Sequence, residues 1–119
     1  MSRSRWIPVV LWAGFILTAT SIPNVPAPAA PGTDKVAHLA MYAILGMLTL
    51  RAAWHAAPAP RTMVLTLAAI TVFAAVDEWH QRFIPSRSAD VADWFADVAG
   101  ATLGIGALAG LKLRRVKGT

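Results

Sequence analysis

Four stretches of this chain are long and almost free of charge, and they constrain its fold more than any other feature. A helix needs about 20 mostly apolar residues, with ~17–25 the usual range, to cross the ~30 Å hydrocarbon core of a bilayer. The four stretches lie at about residues 6–22, 36–54, 62–83 and 91–111. Over 119 residues the composition is 56% hydrophobic and 14% charged, against about 25% charged in soluble domains. A water-soluble domain of this size would lack the polar surface to cover its core. The expectation is an all-α fold, a polytopic membrane bundle of four transmembrane helices forming one domain over residues 1–119.

The intervening sequence fits that reading. Pro8 falls in a first turn, where a missing N–H costs little. Pro23, Pro26, Pro28 and Pro31 rule out helix between the first two segments. Pro58 and Pro60 mark a short turn between the second and third. Arg3 and Arg5, the first apolar run and Ala27-Pro28-Ala29 together also resemble a signal peptide with its cleavage site. Because a Pro-rich stretch is equally an ordinary loop, the first helix is expected to be retained.

Of the 11 Lys and Arg residues, eight (Arg3, Arg5, Arg51, Arg61, Lys112, Arg114, Arg115 and Lys117) fall at one end of the segments, and Lys35, Arg82 and Arg87 at the other. The positive-inside rule then puts both termini and the middle turn in the cytoplasm. The net charge of +5 therefore reads as topology control and contact with anionic lipid, not as a nucleic-acid surface. Without cysteine there is no disulfide, thiolate metal site or Cys nucleophile.

All six acids, Asp34, Asp77, Glu78, Asp90, Asp93 and Asp97, lie at the end opposite the basic cluster. The uninterrupted apolar part of the third segment, residues 62–76, would span only ~22 Å at ~1.5 Å per residue. The helix should thus run on through Asp77 to about Phe83, drawing Asp77 and Glu78 below the membrane surface. Ionisable groups at that depth face a bundle interior or a wet cavity. Asp34, His38 and Tyr42 share one face of the second helix, and Asp90, Asp93 and Asp97 share one face of the fourth. Gly100 and Gly104 extend that stripe and permit close helix approach.

Each of these residues also has a plainer role. Asp90 or Ser88 suits a helix cap, and Asp93 complements the helix dipole. Asp97 lies beyond the reach of the dipole and calls for a buried partner such as Arg87, Arg82 or His38. A lone histidine is most often structural, but His38 facing several carboxylates suits a proton carrier or an ion-pair partner. Glu78 and Arg82 form an i,i+4 pair of the kind that commonly just supports a helix. The five tryptophans, Trp6, Trp12, Trp54, Trp79 and Trp94, mostly lie near segment ends, as interfacial anchors do. There is no HExxH motif, and no transition metal or cofactor is expected; the carboxylates leave room only for a weak divalent-cation site shared with lipid phosphate.

Taken in order, these elements resemble the VanZ-like family. Asp34-Lys35-Val36-Ala37-His38-Leu39-Ala40-Met41-Tyr42 is similar to its DKxxHxxxY element. The run from Asp77-Glu78 through Gln81, Arg87 and Asp90 to Asp93 is similar to its DExxQ…R…D..D element, and Gly100-Ala101-Thr102-Leu103-Gly104 to its GAxxG helix. The family usually has Asn where this chain has Asp97. The resemblance implies a small bacterial inner-membrane protein of the cell envelope. The family's namesake is associated with low-level resistance to the glycopeptide teicoplanin, although many relatives lie outside any resistance cluster. On the residue match, the functional positions are Asp34, Lys35, His38, Tyr42, Asp77, Glu78, Gln81, Arg87, Asp90 and Asp93.

Three functional readings follow. In the first, the polar cluster binds a polar or anionic headgroup, of a membrane lipid or a lipid-linked cell-wall precursor. Lys35, Arg82 and Arg87 would take its phosphate, and His38, Tyr42, Gln81, Asp90 and Asp93 would complete the site. In the second, an enzyme acts on such a lipid, with His38 as acid or base, Asp77 or Glu78 orienting it, and Arg87 stabilising developing charge. In the third, the network only holds the helices together.

Overall fold

The computed structural model describes residues 3–21, 33–54, 59–84 and 91–117. Arg87, Asp90, the Pro-rich loop and the side chain of Asp34 lie outside the described residues. Four α-helices follow a short 3-10 turn at Arg3–Arg5: α1 (Ile7–Ser21), α2 (Thr33–Ala53), α3 (Pro60–Gln81) and α4 (Val91–Lys117). The described residues contain no strand.

The helix ends have local causes. α1 stops at Ser21, two residues before Pro23, whose ring disfavours helix in the preceding residue. Pro60 occupies the first helical position of α3 rather than a turn, where its fixed φ suits the helix and its missing N–H is not needed. α3 runs through Asp77 and Glu78 to Gln81, as the short apolar run requires. It then closes in a tight turn with Arg82 N–H donating to Trp79 O (3.2 Å) and Phe83 N–H to His80 O (3.1 Å). α4 continues past residue 111 to Lys117. Lys and Arg are good helix formers, and cations at a helix C-terminus complement its dipole.

The helices alternate in direction. Arg5 Nη1 donates to the carbonyls of Arg51 and Trp54 (3.1 Å each), joining the start of α1 to the end of α2. Lys112 Nζ lies 5.9 Å from the centre of the Trp54 ring, bringing the end of α4 to the same place. This is the basic end of the bundle. At the opposite end, Thr20 near the close of α1 meets Asp77 near the close of α3.

The tightest seam joins α2 and α4. A Cβ on Gly104 would strike the carbonyl of Ala43, and one on Gly100 the carbonyl of Leu39. From the other side, a Cβ on Gly46 would come within 2.7 Å of Ala101 O. Small residues at such crossings allow helix backbones to touch. Gly100 and Gly104 thus act as the stripe implies, and Gly46 is a third participant that their pairwise spacing does not reveal.

The outer surface is apolar, with Val10, Leu11, Val64, Val72 and Phe95 exposed. Hydroxyls are turned back onto their own helices: Thr18 donates to Gly14 O (2.8 Å), Ser21 to Leu17 O (2.6 Å), Thr71 to Leu67 O (2.7 Å) and Thr102 to Val98 O (2.8 Å). Such back-bonding satisfies polar groups where no water is at hand. Three segments, Lys35–Ala53, Pro60–Gln81 and Val91–Arg115, are long and apolar enough to cross a membrane. With 15 residues, α1 reaches only ~22 Å.

The tryptophans divide into two groups. Trp6 and Trp79 are exposed, as anchors would be. Trp12 and Trp94 instead tie helices together: Trp12 Nε1 donates to Met41 O at 2.8 Å, and Trp94 Nε1 to Thr71 O at 3.2 Å. An indole N–H in an apolar bundle needs an acceptor, and these find one on a neighbouring backbone.

Candidate functional site

At the end of the bundle away from Arg5 and Lys112, polar side chains fill the interior. Tyr42, Asp77 and Asp97 are fully buried, and His38, Gln81, Asp93 and Glu78 nearly so. Each comes from the helix face its spacing indicates: His38 and Tyr42 one turn apart on α2, Asp77 and Gln81 one turn apart on α3, Asp93 and Asp97 one turn apart on α4. The charged groups avoid the apolar outer surface, as the cost of ionised groups against lipid requires.

Two hydrogen-bonded arms make up the cluster. In the first, Lys35 Nζ lies 2.6 Å from Asp93 Oδ1, with the lysine side chain 39% exposed and the aspartate 7%. Asp93 Oδ2 lies 3.9 Å from His38 Nε2, beyond hydrogen-bond range. His38 Nδ1 is held by Asp97 Oδ1 at 2.7 Å. This arm leads from a partly open mouth at Lys35 to the fully buried Asp97. In the second arm, the Asp77 carboxylate sits between two hydroxyls. Thr20 Oγ1 is 2.7 Å from Oδ1, and Tyr42 Oη donates to Oδ2 at 3.3 Å.

The arms lie close together. Asp77, Glu78 and Asp97 are all within electrostatic reach of the Tyr42 phenol, and His38 is within reach of Asp77. Two buried polar atoms, Gln81 Nε2 and Asp97 Oδ2, have no hydrogen-bond partner among the described residues. A buried donor or acceptor left this way marks a place where water or a ligand group fits.

His38, Tyr42, Asp77, Glu78, Gln81, Asp93 and Lys35 thus come together at one end of the bundle. Arg82 does not join them. It caps the end of α3 and its side chain is exposed. The expected orienting role of Asp77 toward His38 is also corrected. The carboxylate on Nδ1 is that of Asp97, while both Asp77 oxygens are engaged by Thr20 and Tyr42. Asp97 pairs with His38, one of the three partners its depth calls for. Thr20 is the member that sequence reasoning missed. Its signal is the polar run Thr18-Ala19-Thr20-Ser21 closing α1 at the depth of Asp77, which reads on its own as a helix boundary.

Among the described residues, no group of three or more His, Asp or Glu side chains is arranged to hold a metal ion. The cluster can relay or hold protons and can present an ammonium–carboxylate pair to a polar ligand at its mouth.

No curated protein and no solved structure matches this chain. A family profile does, over residues 2–112, which takes in α1 to α3, α4 as far as Lys112 and every residue of both arms. With three helices fit to cross a bilayer and its polar groups turned inward, the chain is a membrane protein and belongs to the VanZ/LLP1 family.

Proposed function

We propose that this protein is a four-pass protein of the bacterial inner membrane, with both termini cytoplasmic, that binds a phosphate-bearing polar headgroup at the outer, acidic end of its bundle. The observation that carries this reading is the buried Lys35–Asp93–His38–Asp97 arm, which opens at a half-exposed ammonium group. Lys35 carries three donors, and its ammonium, partly exposed beside Asp93, can turn one of them to a phosphate oxygen. Arg87, which precedes α4 in the sequence, and the exposed Arg82 would add forked donors for the same phosphate. The headgroup belongs to a membrane lipid or a lipid-linked wall precursor, and a link to glycopeptide resistance follows only if the ligand is such a precursor.

The topology rests on the eight basic residues at one end and on the alternating helix directions. Activity-reporter fusions should give a cytoplasmic signal at Lys117 and an external one at Gly32. An external signal at Lys117 would overturn it. Binding is tested by native mass spectrometry of the purified protein. Arg87→Gln should weaken retention of a phosphate lipid by about tenfold, the loss of one charge-assisted hydrogen bond, with thermal stability preserved. Loss of stability together with binding would mean that the network is structural, and the site would be withdrawn.

A second reading is favoured by His38 in particular. Asp97 holds Nδ1 and thereby fixes the ring, while Nε2 has no hydrogen bond to Asp93 at 3.9 Å. An imidazole oriented through one nitrogen, with the other facing Asp93 of the Lys35 pair, suits general acid–base work on the bound headgroup. Asp97 then takes the orienting role.

A further inference from the structure

A second feature lies at the opposite end of the molecule. A cavity of about 360 Å³ opens between the start of α1, the end of α2 and the first half of α3. Its walls include Trp6, Ala53 and Ala69, with hydroxyls from Thr49, Thr62 and Thr66. The lining is mainly apolar, and Ala69 and the neighbouring Leu65 are exposed on the outer face, so the cavity opens sideways into the surrounding lipid. From Thr62 to Ala69 it follows α3 for roughly 10 Å, about a third of the hydrocarbon thickness.

Thr49 breaks a pattern. The hydroxyls of Thr18, Ser21, Thr71 and Thr102 all bond the carbonyl four residues back. Thr49 Oγ1 is buried and has no hydrogen-bond partner among the described residues. It sits about 6 Å from the end of α2, at a depth where a lipid ester carbonyl can accept from it. The rim is basic. Arg5 is pinned at the end of α2 by its two carbonyl contacts, and Arg61 is exposed beside Thr62. Among the described residues the acidic side chains, Asp77, Glu78, Asp93 and Asp97, belong to the other end of the bundle. An apolar slot with an unpaired donor inside and arginines next to two of its lining residues matches one molecular class.

We infer that this cavity binds an anionic phospholipid of the inner leaflet, with an acyl chain in the slot, an ester carbonyl on Thr49 and the phosphate between Arg5 and Arg61. The slot is separate from the Lys35–Asp97 arm and does not depend on what that arm binds. The test uses the delipidated full chain, titrated with phosphatidylglycerol and, separately, phosphatidylcholine and followed by native mass spectrometry. Phosphatidylglycerol should bind about fivefold more tightly, the value of roughly one basic side chain near a phosphate. Arg61→Gln should abolish that preference, and Ala69→Leu, which fills the slot from its exposed wall, should weaken both lipids. Thr49→Val should weaken both by about threefold, one neutral hydrogen bond. Arg115→Gln on α4, which does not line the slot, should leave binding unchanged. Equal affinity for the two lipids would overturn the proposal. So would unchanged binding in Ala69→Leu, or a loss in Arg115→Gln as large as in Arg61→Gln, which would mark general charge attraction.

Discussion

Gly104→Ala is expected to destabilise the bundle by about 1–3 kcal/mol or more, and the double variant Gly100→Ala/Gly104→Ala to prevent its assembly. The methyl group added at position 104 would fall on the carbonyl of Ala43, with the Ala43 Cα only 3.0 Å away. At residue 100 the carbonyl carbon of Leu39 lies 2.9 Å away. Both obstacles are backbone, so no side-chain rotation relieves them and α2 must draw back from α4. The same chemistry on the other face of α4 supplies the control. A Cβ on Gly106 or Gly110 meets nothing within 4 Å, so Gly106→Ala and Gly110→Ala should be neutral, or stabilising by up to about 1 kcal/mol through reduced backbone entropy. Thermal unfolding of the three single variants and the double variant in one detergent tests this. Equal effects on the two faces would mean that the α2–α4 seam is not the contact that sets the fold. The seam matters for the site as well. His38 immediately precedes Leu39, and Asp97 lies three residues before Gly100, so backbones forced apart there would also open the 2.7 Å His38–Asp97 contact.

The parts of this architecture that depend on one helix at a time were legible in the sequence. Apolar runs, proline breaks and the depth of Asp77 followed from helix rise and bilayer thickness. Spacing also placed His38 with Tyr42 and Asp93 with Asp97. What depended on the rotation of one helix against another was not legible. Spacing puts Asp77 and Asp97 on inward faces, but only the packed bundle decides that Asp97 meets His38 while Asp77 meets Thr20 and Tyr42. Gly46 escaped for the same reason, since it has no glycine one turn away on α2 to mark it. Trp12 and Trp94 read as anchors because an indole near a segment end suits both an interface and a neighbouring carbonyl. Arg82, at the C-cap of α3, is exposed and stands outside the buried cluster, which its i,i+4 spacing from Glu78 did not reveal.

His38→Ala should cost about 3–5 kcal/mol, because it strips the partner from a buried carboxylate at Asp97 and removes a neighbour of Asp93. For a chain of this size that is a fall in Tm of more than about 10 °C. Asp97→Asn should cost far less. The asparagine carbonyl can still accept from His38 Nδ1, and a fully buried charge no longer has to be held out of water. Its amide would occupy the position of Asp97 Oδ2, which now has no partner among the described residues. That adds up to about 1–3 kcal/mol if the donor finds no acceptor, and less if a neighbouring carboxylate takes it. The two variants together separate an interaction from two independent losses. With Asp97 already replaced by Asn, removal of His38 leaves no orphaned charge on α4 at that depth, so the double variant should be more stable than the sum of the singles implies, by about 1–3 kcal/mol. Additive losses would mean that the 2.7 Å contact contributes no coupling. The same pair divides the two functional readings. If His38 is an acid or base oriented by Asp97, Asp97→Asn should reduce turnover of a lipid substrate while leaving headgroup retention intact. If the arm only binds, retention and function should change together.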